Sequence, residues 1–114
     1  MKFLRFNFVL INRYDNGDDY INFHSDSEKG LGKEPDIIGI SLGSERRFKF
    51  KNKNFIPEKI SKDFELNLGH GSIVAMYHPT NKYWQHSIPK MKSIKKPRIS
   101  LTFRYLYLNE SNKY

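Results

Sequence analysis

The most informative absence in this sequence is cysteine, which does not occur among its 114 residues. Disulfide bonds and thiolate-bound metals are therefore excluded, so any metal must be held by histidine and carboxylate side chains. No apolar run approaches the roughly 20 residues of a membrane-spanning helix. Residues 1–6 resemble a strand and lack the small-residue cleavage site of a signal peptide. We expect an intracellular, soluble and monomeric protein that does not bind membranes, its nuclear or cytoplasmic location being undecidable from sequence.

Amphipathic helices are also lacking, because no window repeats its apolar residues with the helical period. The pattern instead predicts eight short strands separated by turn signals. These strands cover residues 3–11, 20–23, 37–42, 46–51, 64–68, 72–77, 83–88 and 98–108. We predict an all-β or mainly β fold with little helix, an antiparallel sandwich or jelly roll.

Hydrophobic residues are modest at 38%, but aromatic residues reach 15%, and large side chains can build a small core. The length predicts one domain over residues 1–108, followed by a polar tail at 109–114. The formal net charge is +8 and the isoelectric point about 9.7. This basic balance favours a polyanionic partner, nucleic acid above all. A base-compositional bias that enriches lysine and asparagine is the simpler alternative.

Two potential metal ligands, His24 and Asp26, follow a predicted strand with one residue between them. In an extended backbone their side chains project to the same side. Such a pair supplies two ligands of the 2-His-1-carboxylate triad that binds Fe(II), and His86 is the candidate third. Each residue alone is as readily explained by a polar turn or an ordinary hydrogen bond. His70, in a Gly-His-Gly turn, is expected to make a structural hydrogen bond, and His78 to be a loop residue.

The last predicted strand carries polar residues on one face, which are Arg98, Ser100, Thr102 and Arg104, and apolar residues on the other. Arginine binds carboxylates with a planar fork and stays charged when partly buried. An inward-facing arginine is costly unless an anion meets it. The anion could be a small dicarboxylate or an internal acidic side chain, or the arginines could point to solvent.

These motifs together resemble the AlkB-like 2-oxoglutarate- and Fe(II)-dependent dioxygenases, which repair alkylated nucleic acid. The resemblance spans about residues 10–104 and is most specific at the two arginines six apart. Its greatest similarity is to the duplex-DNA-acting subgroup. Its elements are Asn12-Arg13-Tyr14, His24-Ser25-Asp26-Ser27-Glu28, Ile40-Ser41-Leu42-Gly43, His70-Gly71-Ser72, His78-Pro79-Thr80-Asn81, Trp84 to Pro89, and Arg98 to Arg104.

The resemblance implies a double-stranded β-helix whose open end holds iron through His24, Asp26 and His86, with 2-oxoglutarate and O2 as co-substrates. Further residues match the family's 2-oxoglutarate contacts: Arg98 and Tyr14 at the distal carboxylate, and Arg104 and Asn12 near the other. Ser100 stands where relatives usually carry asparagine, so one hydrogen bond to the co-substrate is expected to be lost or bridged by water.

The resemblance further implies oxidative demethylation of N-alkylated bases, of the 1-methyladenine and 3-methylcytosine type, in DNA or RNA. The products would be formaldehyde, succinate and CO2. Glu28 matches an acidic residue close to the target base, although loop solvation explains it equally well. Arg46, Arg47 and nearby lysines are candidate phosphate contacts, with ordinary surface solvation as the alternative. An oxygenase acting on a protein or lipid, or an inactive basic nucleic-acid-binding module, are the rival functions.

Related enzymes carry an N-terminal portion that covers the base and, in duplex-acting members, assists base flipping. About nine residues precede the first matching motif here. We therefore expect a catalytic core or a truncated form, with single-stranded nucleic acid as the favoured substrate.

Overall fold

The computed structural model describes residues 3–53 and 62–107, and most of its regular structure is β-strand. The strands are β1 (Phe8–Tyr14), β2 (Ile21–His24), β3 (Ile37–Gly43), β4 (Arg46–Asn52), β5 (Phe64–Leu68), β6 (Ile73–Met76), β7 (Trp84–Ile88) and β8 (Arg98–Arg104). A single helical turn, α1 (Thr80–Tyr83), precedes β7. The prediction of a mainly β chain with little helix is confirmed.

The strands form two antiparallel four-stranded sheets, ordered β1-β8-β3-β6 and β2-β7-β4-β5. The chain therefore passes repeatedly from one sheet to the other, as a jelly roll requires. In the first sheet Tyr14 lies opposite Arg98, and Ser100 lies between Asn12 and Ser41. In the second sheet the terminal residue of β2 pairs with the middle of β7 after a register shift. This topology brings segments far apart in sequence to the same end of the interior.

The core lies between the inner faces of the two sheets. Its buried members are Tyr14, Ile37, Phe48, Phe50, Leu68, Met76 and Ile88. The rings of Phe48 and Phe50 meet edge to face with centroids 4.7 Å apart, and Phe48 also contacts the ring of His86. Because aromatic rings bury large areas, few residues are needed to fill this interior. One of the candidate metal ligands is thus held directly by the core.

The first strand differs from its sequence prediction. It was expected over residues 3–11, but β1 begins at Phe8 and continues to Tyr14. Phe3 is largely exposed. β1 pairs with β8 from Phe8 to Tyr14, and Tyr14 lies opposite Arg98. This pairing outweighs the local β preference of residues 3–7. The predicted tail at 109–114 lies outside the described residues.

Candidate active site

The two histidines and the aspartate of the predicted triad meet at the paired ends of β2 and β7. His24 and His86 are register partners, and their ring centroids lie 4.4 Å apart. Asp26 Oδ1 is 3.5 Å from the Nε2 atom of each histidine. The three donor atoms lie within 4.8 Å of one another. Since bonds of about 2.1 Å separate adjacent ligands by about 3 Å, this donor set fits one divalent ion with little movement.

Main-chain and amide groups hold these ligands in place. The Nδ1 atom of His24 is 2.8 Å from the carbonyl oxygen of Asn22, which leaves Nε2 to face Asp26. The Asn81 side chain forms two hydrogen bonds with the main chain of Asp26. It accepts from the N–H at 2.8 Å and donates to the carbonyl at 2.9 Å. Ser25 Oγ donates to the carbonyl of Trp84 at 2.7 Å. The ligand loop is therefore fastened to the segment that leads into β7.

The charge state of Asp26 suits a metal ligand. Burial alone would raise its pKa, but hydrogen bonds from His24 and His86 and the charge of Arg104 outweigh burial and hold the pKa far below its ordinary value. Arg104 Nη2 donates to Asp26 Oδ2 at 2.9 Å, so Oδ1 remains on the histidine side. The hydrogen bond with Asp26 raises the pKa of His24, with burial opposing it. A metal ion therefore competes with a proton for His24 more than for an ordinary histidine.

A cavity of about 240 Å³ extends from the triad between the sheets. Its polar lining includes the predicted co-substrate residues, which are Asn12, Tyr14, Arg98, Ser100 and Arg104. All of them lie on the inward faces of β1 and β8, whose register places them side by side. The predicted division of β8 into two faces is correct, and its polar face is the inner one.

Arg98 is the clearest anion-binding group in this cavity. It is 4% exposed, and its Nη2 donates to Ser41 Oγ at 2.9 Å. The Tyr14 hydroxyl lies close enough to interact with the guanidinium, but the buried Nε and Nη1 atoms form no hydrogen bond of regular geometry, and no described carboxylate forms an ion pair with Arg98. The guanidinium lies 5.2 Å from the centre of the Tyr14 ring. Two unused donors of a buried cation fit the carboxylate of a small dicarboxylate.

Arg104 has a different environment. It forms ion pairs with Asp26 and Glu28, so the alternative of an internal acidic partner holds for this arginine. By binding Asp26, Arg104 orients this candidate metal ligand. Arg104 also lines the cavity, so it can contact a small molecule held there. In the described part of the chain, Arg98 has two buried nitrogen atoms without hydrogen-bond partners, whereas Arg104 has one.

The predicted substrate residues separate into three situations. Glu28 lines the cavity; its Oε1 pairs with Arg104, while its buried Oε2 has no hydrogen-bond partner among residues 3–53 and 62–107. Arg47 lies on the outward face of β4 and is half-buried. Arg46 is fully buried and donates to three carbonyl oxygens, so the prediction that it contacts phosphate is wrong.

The remaining histidines lie outside the triad. His70 Nδ1 accepts a hydrogen bond from the N–H of Gly43 at 2.9 Å, which confirms the predicted structural role. His78 lies in the loop before α1 with its Nε2 4.0 Å from Glu34.

The sequence alone did not single out Ser41 or Asn81 as site residues. Ser41 shares the parity of Ile37 and Gly39 on β3, so its inward position could have been inferred. Asn81 lies in the helical turn α1 before β7, where strand alternation gives no guide to the direction of its side chain. Its role follows only from the pairing of β2 with β7.

Comparison with known proteins agrees with this geometry. Residues 1–104 match the sequence profile of the 2OG-Fe(II) oxygenase superfamily. The chain belongs to this superfamily. Membership implies Fe(II) as cofactor and 2-oxoglutarate and O2 as co-substrates, and the His24, Asp26 and His86 donor set fits the iron.

Several curated proteins are similar to this 2OG-Fe(II) oxygenase chain. The DNA oxidative demethylase ALKBH2 of Bos taurus is 45% identical over 102 residues, covering 87% of this chain and 37% of the relative. The Homo sapiens protein of the same name is 43% identical, covering 92% and 41%. The alpha-ketoglutarate-dependent dioxygenase alkB homolog 3 of Homo sapiens is 36% identical, covering 90% and 37%. The AlkB-like resemblance is confirmed, and the chain spans about two fifths of the length of these relatives.

The fold is also similar to a solved structure of OsALKBH1. The TM-score is 0.64 at 19% identity, covering 90% of this chain and 49% of that chain. This likeness supports the jelly-roll fold.

Among the described residues, no helix is long and apolar enough to cross a membrane.

Proposed function

We propose that this chain is the catalytic part of a 2-oxoglutarate- and Fe(II)-dependent dioxygenase that demethylates N-alkylated bases in nucleic acid. The observation that carries the proposal is a single cavity with the triad and the unpaired Arg98 guanidinium in its wall. The relatives named DNA oxidative demethylase support the choice of substrate class.

The residues divide the work in the following way. His24, Asp26 and His86 would hold Fe(II), leaving coordination positions open for the 2-keto acid and O2. When bound, the iron would activate O2, of which one oxygen atom would oxidise 2-oxoglutarate to succinate and CO2 and the other would hydroxylate the N-methyl carbon. The hydroxymethyl group then leaves as formaldehyde, its hydroxyl proton is released, and the ring nitrogen of the base regains its lone pair.

The chain's own part is to bind and orient. Arg98, with Tyr14 beside it, would bind the distal carboxylate through Nε and Nη1. Asn12, Ser100 and Arg104 would contact the end nearer the metal. The apolar wall formed by Phe48 and its neighbours limits the water that reaches the site, which strengthens these charged contacts.

Glu28 is proposed to contact the target base. Its buried Oε2 lacks a partner in the described segments, and burial makes an unpaired acceptor costly. An exocyclic amine on adenine or cytosine would donate the missing hydrogen bond. Because a base inside a duplex cannot reach this cavity, the target must be single-stranded or flipped out.

Outward-facing cations on β4 are the proposed phosphate contacts. Arg47, Lys49 and Lys51 alternate with the buried aromatic residues of that strand, and the Lys51 ammonium lies 4.7 Å from the centre of the Phe23 ring, next to His24. Phosphate contacts of this kind weaken steeply as salt rises.

The test is the release of succinate and formaldehyde from oligonucleotides carrying 1-methyladenine or 3-methylcytosine, presented as single strands and as duplexes. We expect equal amounts of both products from the methylated strands, none from unmethylated ones, and none with His86→Ala. Succinate release that is never accompanied by formaldehyde from any oligonucleotide would favour an oxygenase with a protein or lipid substrate. Nucleic-acid binding without metal binding would favour the inactive module.

A further inference from the structure

Arg46 is a charged side chain that the proposed function leaves unused, although it is fully buried. It extends from the first position of β4 into the interior, on the same face as Phe48 and Phe50. Its Nη1 donates to the carbonyl of Asn16 at 3.2 Å, and its Nη2 donates to the carbonyls of Asp19 and Pro89 at 2.7 and 2.8 Å. The guanidinium thus joins the turn after β1 to the residue after β7.

The charge of Arg46 is not neutralised by these contacts. All three acceptors are main-chain carbonyls, and its Nε has no partner. The Asp19 carboxylate attracts the Arg46 charge from a distance, but no carboxylate within the described ranges is close enough to form an ion pair with it. A buried cation without a counterion is costly, so it is rarely kept for stability alone. The feature calls for an anion nearby.

The guanidinium groups of Arg46 and Arg98 both lie close to the ring of Tyr14. Their guanidinium carbons are 5.5 Å and 5.2 Å from the centre of the Tyr14 ring. Both distances are within the range of a cation–π contact, and guanidinium groups stack well on aromatic faces. Two buried positive charges therefore share one tyrosine that lines the cavity, and of the two arginines only Arg98 lines it.

We propose that Arg46 is a positioning residue that makes the co-substrate site selective for a 2-keto acid with a second carboxylate. It fixes the Tyr14 ring against which Arg98 is placed, and it adds positive potential behind the distal carboxylate without touching it. This inference rests on the proposed function, because it assumes that Arg98 and Tyr14 receive that carboxylate.

The test compares two ligands that differ only at the distal end. 2-Oxoglutarate and 2-oxopentanoate present the same 2-keto acid to a metal, but 2-oxopentanoate ends in a methyl group. Dissociation constants are measured by calorimetry without O2, with Mn(II) in place of iron, so that the readout is binding and not turnover. The variants are Arg46→Met, which removes the charge, and Arg46→Lys, which keeps the charge but loses the planar fork. Arg13→Met is the matched control, because Arg13 is exposed on β1 beside Tyr14.

We expect the wild-type protein and Arg13→Met to prefer 2-oxoglutarate strongly. Arg46→Met should weaken 2-oxoglutarate binding by about 10- to 100-fold, the range seen when a residue acts through another ligand-binding group. Binding of 2-oxopentanoate should change less than about twofold, and Arg46→Lys should fall between wild type and Arg46→Met for 2-oxoglutarate.

Equal weakening of both keto acids would assign Arg46 a purely structural role and overturn the proposal, as would unchanged binding of both. If Arg46→Met does not fold, Arg46→Lys decides by the same comparison, since a weakening confined to 2-oxoglutarate supports the proposal and any other pattern overturns it. A wild-type protein that does not distinguish the two ligands would instead refute the assignment of the distal carboxylate to Arg98 and Tyr14, and the proposal with it. If wild type and both Arg46 variants prefer 2-oxoglutarate to the same extent, the role proposed for Arg46 is overturned. The proposed function of the chain is then unaffected.

Discussion

Replacing Arg98 with methionine is expected to stabilise the ligand-free protein while removing its affinity for 2-oxoglutarate. The side chain is 4% exposed and keeps one hydrogen bond, to Ser41, while two of its nitrogen atoms have no partner in the described structure. Methionine fills similar space with a flexible apolar chain. The variant thus removes an uncompensated buried charge without leaving a large cavity.

The magnitudes follow from these contacts. Losing the Ser41 hydrogen bond costs about 1 kcal/mol and losing the contact with the Tyr14 ring about 1–2 kcal/mol. Removing the buried unpaired charge and the two unpaired donors stabilises the folded state by several kcal/mol. We expect a net gain of about 2 kcal/mol, which corresponds to a rise in Tm of about 8 °C for a domain of this size. Two charge-assisted hydrogen bonds to the carboxylate are lost, so 2-oxoglutarate binding should weaken by about 3 kcal/mol, or a hundredfold or more.

The assay is thermal unfolding with and without 2-oxoglutarate in the presence of Mn(II), together with calorimetric binding. Arg13→Met serves as the control, because an exposed ion pair contributes at most about 1 kcal/mol. A lower Tm together with unchanged 2-oxoglutarate affinity in Arg98→Met would refute the interpretation of Arg98 as an unpaired anion-binding group.

Three further predictions concern Asn81, His24 and the turn at Gly17. Asn81→Ala should weaken Mn(II) binding by about 10- to 100-fold in a calorimetric titration, because Asp26 loses two main-chain hydrogen bonds; unaltered affinity would contradict this role. Mn(II) affinity should fall by about tenfold per pH unit below the raised pKa of His24, because protonated imidazole is not a ligand. An affinity that does not change between pH 8.5 and pH 5.5 would contradict this prediction. Gly17→Ala should lower the free energy of unfolding by more than about 2 kcal/mol in urea, because a Cβ there would lie 1.6 Å from the Met91 carbonyl oxygen; a smaller loss would show that the turn shifts easily.

Much of the fold was predictable because the strands alternate clearly and turn signals separate them. All eight strands occur near their predicted positions, and the polar and apolar faces of β8 were assigned correctly. The start of β1 was not predictable from local preference. Residues 3–7 have strand-like composition, but the ladder with β8 begins only at Phe8 opposite Arg104.

The site was predictable in its components and less so in its arrangement. The His24–Asp26 spacing follows from extended geometry, but the proximity of His86 depends on β2 lying beside β7, which no local pattern reveals. The resemblance to a known family supplied that link. Arg46 shows the opposite case. Arg46 has the same parity as Phe48 and Phe50, which indicates the inner face of β4. Its charge alone suggested a surface position, and that suggestion is wrong.

The central claim is that His24, Asp26 and His86 bind iron in a cavity that also binds 2-oxoglutarate. The most direct measurement is the visible absorption spectrum of the protein with Fe(II) and 2-oxoglutarate in the absence of O2. The account predicts the weak charge-transfer band of the ternary complex in wild type and in Arg13→Met, and no band in His86→Ala or Asp26→Ala. A wild-type protein without the band, or a band that survives in the two ligand variants, would contradict it.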